Sequence, residues 1–186
     1  MSNILLVGTD RIKRFTPIQQ NVEDNIIIPY IKKSQDTHIQ DMLGTDLYNK
    51  ILTEVENSTI SGDYKELLDK YIIPCLTEWT FYEVLPFINF KMTNKSIVQG
   101  NSEFSSEVDL GDLKYLRSVA RDMADFYSER LKGYLKQYPN KFPEYLTNSG
   151  YDKLKPTKRA NFFGGIYTGE GRAKDDTLGE GHIILN

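Results

Sequence analysis

The sequence is short of the residues that staple a chain, ligate a metal or anchor it in a bilayer. Cys75 is its single cysteine, so no internal disulfide can form, and such usage fits a reducing compartment. The two histidines, His38 and His182, stand far apart, and neither belongs to an HxH, HExxH or HxxxH pattern. The longest purely apolar runs, residues 4–7 and 26–28, fall far below the ~18–20 residues of a membrane span. The N-terminus lacks a basic n-region and its apolar stretch is too short for a secretory signal, so a soluble protein that stays where it is made is expected. An excess of positive charge is missing as well. Lys+Arg 23 against Asp+Glu 26 leaves −3, which makes nucleic acid a poor candidate for a tight partner.

What is present is helical patterning. At 186 residues and 39% hydrophobic content the chain can bury one domain-sized core. Between residues 16 and 137 the apolar residues recur at three- and four-residue steps. Thr16-Pro17-Ile18-Gln19 reads as a helix start, with Asn21 and Asp24 able to restart the turn, and Pro29 predicts a kink or break. Gly44 stands where a left-handed C-terminal cap belongs, and Thr45 is placed to cap the next helix, so the pair marks a sharp helical corner. Residues 64–92 form a pattern apolar nearly all round, as expected of a helix at the centre of a bundle. Pro74 and Pro86 predict bends in it, with Thr77 or Thr80 hydroxyls as partners for the freed carbonyls. Residues 93–108 read as a polar loop. Asp109 then caps a last helix whose core face carries Leu113, Leu116, Ala120, Met123, Tyr127, Leu131, Tyr134 and Leu135. Its solvated face carries Lys114, Arg117, Arg121, Asp125, Ser128 and Lys132.

The ends differ from this body. Residues 150–186 hold 7 of the 13 glycines and no helical period, too little apolar pattern to offset ~1–2 kcal/mol per residue of backbone ordering. Yet Phe162, Phe163, Ile166, Tyr167, Ile183, Ile184 and Leu185 recur between the flexible spacers. Such anchors either pack back on their own bundle or dock on a neighbour, and the neighbour is slightly favoured. Ile4, Leu5, Leu6 and Val7, with Ile183, Ile184 and Leu185, are the best strand candidates, and a lone strand needs a partner. The expected organisation is an N-terminal arm at 1–15, a helical bundle at 16–149 and an extended tail at 150–186. The fold class is all-α: a small bundle with a long kinked central helix and arms that add short β-strands to neighbours.

Catalytic signatures are sparse. Gly164, Gly165, Gly169 and Gly171 lack the strand, helix and Lys of a phosphate cradle. Cys75 lies in the most apolar helix with no basic activator nearby and reads as a small buried hydrophobe. Asp175 and Asp176 lack further ligands at useful spacing. Glu78 and Glu83 in the central helix are either an acid and a base or structural partners of Arg117, Arg121 or Arg130, and the structural reading is preferred. Lys153, Lys155, Lys158 and Arg159 precede the Phe162-Phe163 pair and would suit a subunit contact better than a nucleic-acid arm. No catalytic residue, metal site or cofactor is expected.

Three stretches carry a family likeness. These are Ile39-Gln40-Asp41-Met42-Leu43-Gly44-Thr45-Asp46-Leu47-Tyr48, Tyr64-Lys65-Glu66-Leu67-Leu68-Asp69-Lys70-Tyr71-Ile72-Ile73-Pro74-Cys75-Leu76, and Phe126-Tyr127-Ser128-Glu129-Arg130-Leu131 with Tyr134-Leu135. Thr93-Asn94-Lys95-Ser96-Ile97-Val98 is similar to the start of the family's interhelical loop, with Ser96 in place of its usual Gly. The chain resembles the head–tail connector proteins (adaptor, head-completion or ring proteins) of tailed bacteriophages, closest to those of Bacteroides-type and crAss-like phages. The resemblance implies a ring of identical subunits, usually twelve, stacked on the portal protein and receiving further neck or tail proteins. It implies a virion protein assembled in the bacterial cytoplasm, with double-stranded DNA passing through the ring without specific binding, no membrane and no catalysis. A helical interaction module of a host or phage regulatory complex is the alternative, followed by a small enzyme using a buried carboxylate.

Overall fold

The computed structural model describes residues 4–88, 90–92, 97–99, 110–147 and 156. Within them the chain is an all-α bundle built from α1 (Thr9–Phe15), α2 (Asp24–Ser34), a π-helical turn (Gln35–Ile39), α3 (Gln40–Leu43), α4 (Thr45–Glu56), α5 (Gly62–Leu67), a second π-helical turn (Leu68–Ile72), α6 (Ile73–Ile88) and α7 (Leu110–Gln137). Two short strands, β1 (Phe90–Met92) and β2 (Ile97–Gln99), pair antiparallel after α6; β1 takes the end of the stretch whose pattern predicts helix, and β2 falls in the stretch whose composition predicts loop. Two 3₁₀ turns, Pro139–Lys141 and Pro143–Tyr145, follow α7.

The long central helix is α5 and α6 run together through a widened turn. Pro74 cannot donate a backbone N–H, and the chain loosens just before it: the Ile73 N–H reaches back five residues to the Leu68 carbonyl. Thr77 and Thr80 do not serve the carbonyls that the prolines free. Their hydroxyls donate to Ile73 O and Leu76 O, at 2.8 and 2.7 Å, one turn back on their own ladder. The helix is central because it is apolar nearly all round: Leu67, Leu68, Ile72, Cys75, Leu76 and Val84 are buried, and α6 lies along both α2 and α7.

Pro29 neither breaks nor ends α2. It stands in the second turn, so only one early ladder bond is lost, and the irregularity comes instead at Gln35–Ile39. Gly44 takes φ 75°, ψ 160°, a region open in practice to glycine alone, and turns the chain from α3 into α4. Thr45 is not the cap. It is the first helical residue, and its buried hydroxyl has no hydrogen-bond partner among the described residues.

Three further expectations are corrected. Thr16 closes α1 rather than opening a helix, its hydroxyl and its N–H both donating to Ile12 O. Residues 4–15 belong to the bundle: Ile12 is fully buried and α1 packs on α6. Ile4, Leu5, Leu6 and Val7 form no strand; Leu6 and Val7 are buried in this chain's own core, with Ile4 and Leu5 packed against it. The reason is that Gln35 satisfies the segment's backbone. Its side chain accepts from Leu6 N at 2.9 Å and donates to Ile4 O at 3.0 Å, replacing the neighbouring strand that the segment would otherwise need. Asp109 and the tail anchors Phe162, Phe163, Ile166, Tyr167, Ile183, Ile184 and Leu185 lie outside the described residues.

Candidate functional site

The face of α7 turned to the core is not the one that residue type predicts. Ala120, Leu131, Tyr134 and Leu135 are buried as expected, but so are Ala124, Asp125, Ser128 and Lys132. Leu116 and Met123, expected inside, are exposed. Ser128 finds partners across the bundle, while Asp125 and Lys132 pair along α7 itself. Ser128 Oγ donates to Ala124 O at 2.7 Å, accepts the Trp79 indole N–H at 2.8 Å and lies 3.5 Å from Cys75 Sγ. Lys132, only 3% exposed, carries a 3.3 Å contact to Glu129, and Arg121 reaches Asp125 at 3.6 Å.

These groups form one side of a polar cluster held by four elements. The π-helical turn supplies His38, α3 supplies Asp41 and Met42, α6 supplies Trp79 and Glu83, and α7 supplies Asp125, Ser128 and Lys132. The His38 imidazole stacks on the Trp79 indole with centroids 3.7 Å apart and planes within 10°. Its Nε2 lies 3.1 Å from Glu83 Oε1, and Lys33 Nζ donates to Glu83 Oε2 at 2.7 Å. A cavity of about 40 Å³ opens between Thr37, His38, Asp41, Met42, Trp79, Asp125, Ser128 and Lys132, a space of the size that holds about one or two waters.

Burial and hydrogen bonding compete at His38, Glu83 and Asp125. It holds His38 below the usual imidazole range, outweighing the Glu83 hydrogen bond, so the ring is neutral at pH 7. Burial also pushes Glu83 up, but the Lys33 and His38 hydrogen bonds outweigh it, and the carboxylate stays ionised. Asp125 is raised, chiefly by burial, against the pull of Arg121. The Cys75 thiol is pushed up to about 12 by complete burial, which makes it the inert hydrophobe expected of it. Neutral His38 beside ionised Glu83 is a hydrogen-bonded anchor between the π-helical turn and α6.

Acid is expected to loosen that anchor. The unfolded chain binds the His38 proton near pH 6.5, whereas the folded chain binds it lower, so stability falls as the pH drops below about 6.5. Urea midpoints measured between pH 7.5 and 5.5 should show this slope in the parent and lose it in His38→Gln, which keeps a donor for Glu83. Equal slopes in both would refute the assignment.

Glu78 faces a second concavity, of about 260 Å³, lined by Arg11, Phe15, Pro74, Thr77, Glu78, Tyr127 and Arg130. Burial raises its carboxyl. The arginines proposed as carboxylate partners are used otherwise: Arg117 lies 4.5 Å from the Tyr82 ring centroid, Arg130 lies 5.3 Å from that of Tyr71, and Arg121 meets Asp125. Glu83 pairs instead with Lys33 and His38. Composition singled out Glu83 but missed Lys33, Trp79 and Ser128, since no local signal links residues 33, 79 and 128. Among the described residues no group of three or more His, Cys, Asp or Glu converges as metal ligands. No helix among them is long and apolar enough to cross a membrane.

The rotation of α7 leaves a row of large apolar side chains outside. Leu116, Val119, Met123 and Phe126 (55% exposed) follow one another at three- and four-residue steps along α7, with Tyr115 (69%) beside the first of them. The class defined by these features, among the described residues, is an all-α bundle with a polar cluster between its helices and an exposed apolar row on one of them. Residues 39–154 match the model of a family of unknown function (DUF6712), and the chain belongs to that family. No curated protein and no solved structure matches it.

Proposed function

We propose that this chain is a structural subunit of a tailed-phage virion, a connector that assembles as a homo-oligomeric ring at the portal vertex. The observation that carries the assembly reading is the row of Leu116, Val119, Met123 and Phe126 on α7. Four large apolar side chains aligned on one exposed helix face lose free energy to water until a partner covers them. The ring, its usual twelve copies, and its portal, neck and tail neighbours rest on the likeness of the helical-corner, central-helix and α7 sequences to head–tail connectors. In that setting double-stranded DNA passes the ring without specific binding, and a net charge of −3 suits a wall that must not hold it.

Native mass spectrometry of the purified full chain tests the reading. A discrete closed oligomer is expected, with Phe126→Glu shifting it to smaller species while circular dichroism stays helical. A parent chain that is monomeric at every concentration would overturn the assembly reading. A disordered series of aggregates, with no closed species, would overturn the ring.

A further inference from the structure

The spacing of the α7 face says what covers it. From Asp112 the exposed positions run Leu116, Val119, Met123, Phe126 and Arg130, separated by 4, 3, 4, 3 and 4 residues. This order of steps is the same read from either end. The face is acidic at one end and basic at the other, with only apolar side chains between.

We propose that two copies of this chain pair through α7, antiparallel about a two-fold axis at the level of residue 121. Leu116 then faces Phe126 of the other copy, Val119 faces Met123, and Asp112 meets Arg130 at both ends of the seam.

The geometry follows from helix periodicity. The five steps span 18 residues and average 3.6, the period of the α-helix, so all six positions stay on one stripe over a length of ~27 Å, at 1.5 Å per residue. A parallel arrangement in register would set Asp112 against Asp112 and Arg130 against Arg130, whereas the antiparallel one pairs opposite charges twice. Bulk is matched as well, since the largest side chain, Phe126, lies opposite Leu116 rather than a second Phe126. Arg130 Cζ lies 5.3 Å from the Tyr71 ring centroid, and a guanidinium can hold a ring and a carboxylate together. An isologous contact of this kind uses the same patch on both copies and closes at two. The inference rests on the previous reading only in taking the α7 face as an assembly surface. A pair of this kind is a resting form that keeps the apolar row from water until a larger assembly takes it up.

Directed cross-linking of the full chain tests the register. Cys75 is fully buried and does not interfere. Under mild oxidation Val119→Cys and Met123→Cys copies, when mixed, should form a disulfide-linked dimer, whereas neither variant alone should. Cross-linking of Val119→Cys with itself would show a parallel pair and overturn the proposal. An oligomer that sediments as such but never cross-links in the mixture would also overturn it, leaving the assembly reading intact; a monomeric parent would overturn both. Charge exchange gives an independent readout: Asp112→Arg should raise the dimer dissociation constant about tenfold, as expected for two lost rim ion pairs, and adding Arg130→Asp should restore it. Absence of that rescue would count against the seam.

Discussion

Replacing Gln35 by Ala is expected to lower unfolding stability by ~2–4 kcal/mol, because each buried polar group left without a partner costs ~1–3 kcal/mol. Gln35 is fully buried on the first residue of the π-helical turn, and its one amide holds three groups. It accepts from Leu6 N, donates to Ile4 O and donates to Tyr48 Oη at 2.9 Å. Tyr48 in turn donates to Asp36 Oδ1 at 3.0 Å, and Lys32 binds the same carboxylate. Losing the amide frees the N-terminal segment, and with it the burial of Leu6 and Val7. Urea unfolding should show the loss of stability, and hydrogen exchange should show the Leu6 amide losing protection ahead of the rest of the core. Gln35→Glu is a sharper variant: it keeps an acceptor for Leu6 but has no donor for Ile4 O when ionised. Near-parent stability in both variants would mean that the amide is not what holds the segment.

Truncating Trp79 to Ala is expected to be the most damaging single change, at ~3–5 kcal/mol for a large buried aromatic. The indole stacks on His38, meets the Tyr82 ring edge-on at 5.5 Å and donates to Ser128, so it joins the π-helical turn, α6 and α7 at one point. Trp79→Phe separates packing from hydrogen bonding. It retains a ring for His38 but removes the donor from Ser128, and a loss of about 1–2 kcal/mol is expected. Thermal or urea denaturation of the two variants orders them. A Phe variant as damaged as the Ala variant would show that the indole N–H, rather than its packing, dominates.

The Ala120, Leu131 and Leu135 spacing of α7 was legible because three- and four-residue steps place those residues on one side of a helix. The exact rotation was not. Exposing Leu116 and Met123 while burying Ser128 contradicts hydropathy, and it becomes favourable only when Trp79 and Cys75 of α6 stand ready to meet the Ser128 hydroxyl. The N-terminal segment illustrates the same point. Ile4, Leu5, Leu6 and Val7 look like a strand in search of a sheet, and nothing local reveals that a glutamine about thirty residues away supplies the strand's hydrogen bonds. Pro29 and Thr16 misled for a different reason: a proline near a helix start and a threonine beside a proline each have two common uses, and only the neighbouring turns select one.

The sequence by itself determined the all-α class, the central helix, the corner at Gly44 and the inert burial of Cys75. Each follows from periodicity, a backbone restriction or apolar surroundings that act within a few residues. The tertiary structure alone decided that Gln35 ties down the N-terminal segment, that His38, Trp79, Glu83 and Ser128 form one cluster, and that α7 turns an apolar row outward. Those outcomes depend on which polar groups meet across the bundle, since a buried hydrogen bond is favourable only when its partner, distant in the chain, arrives at the same place.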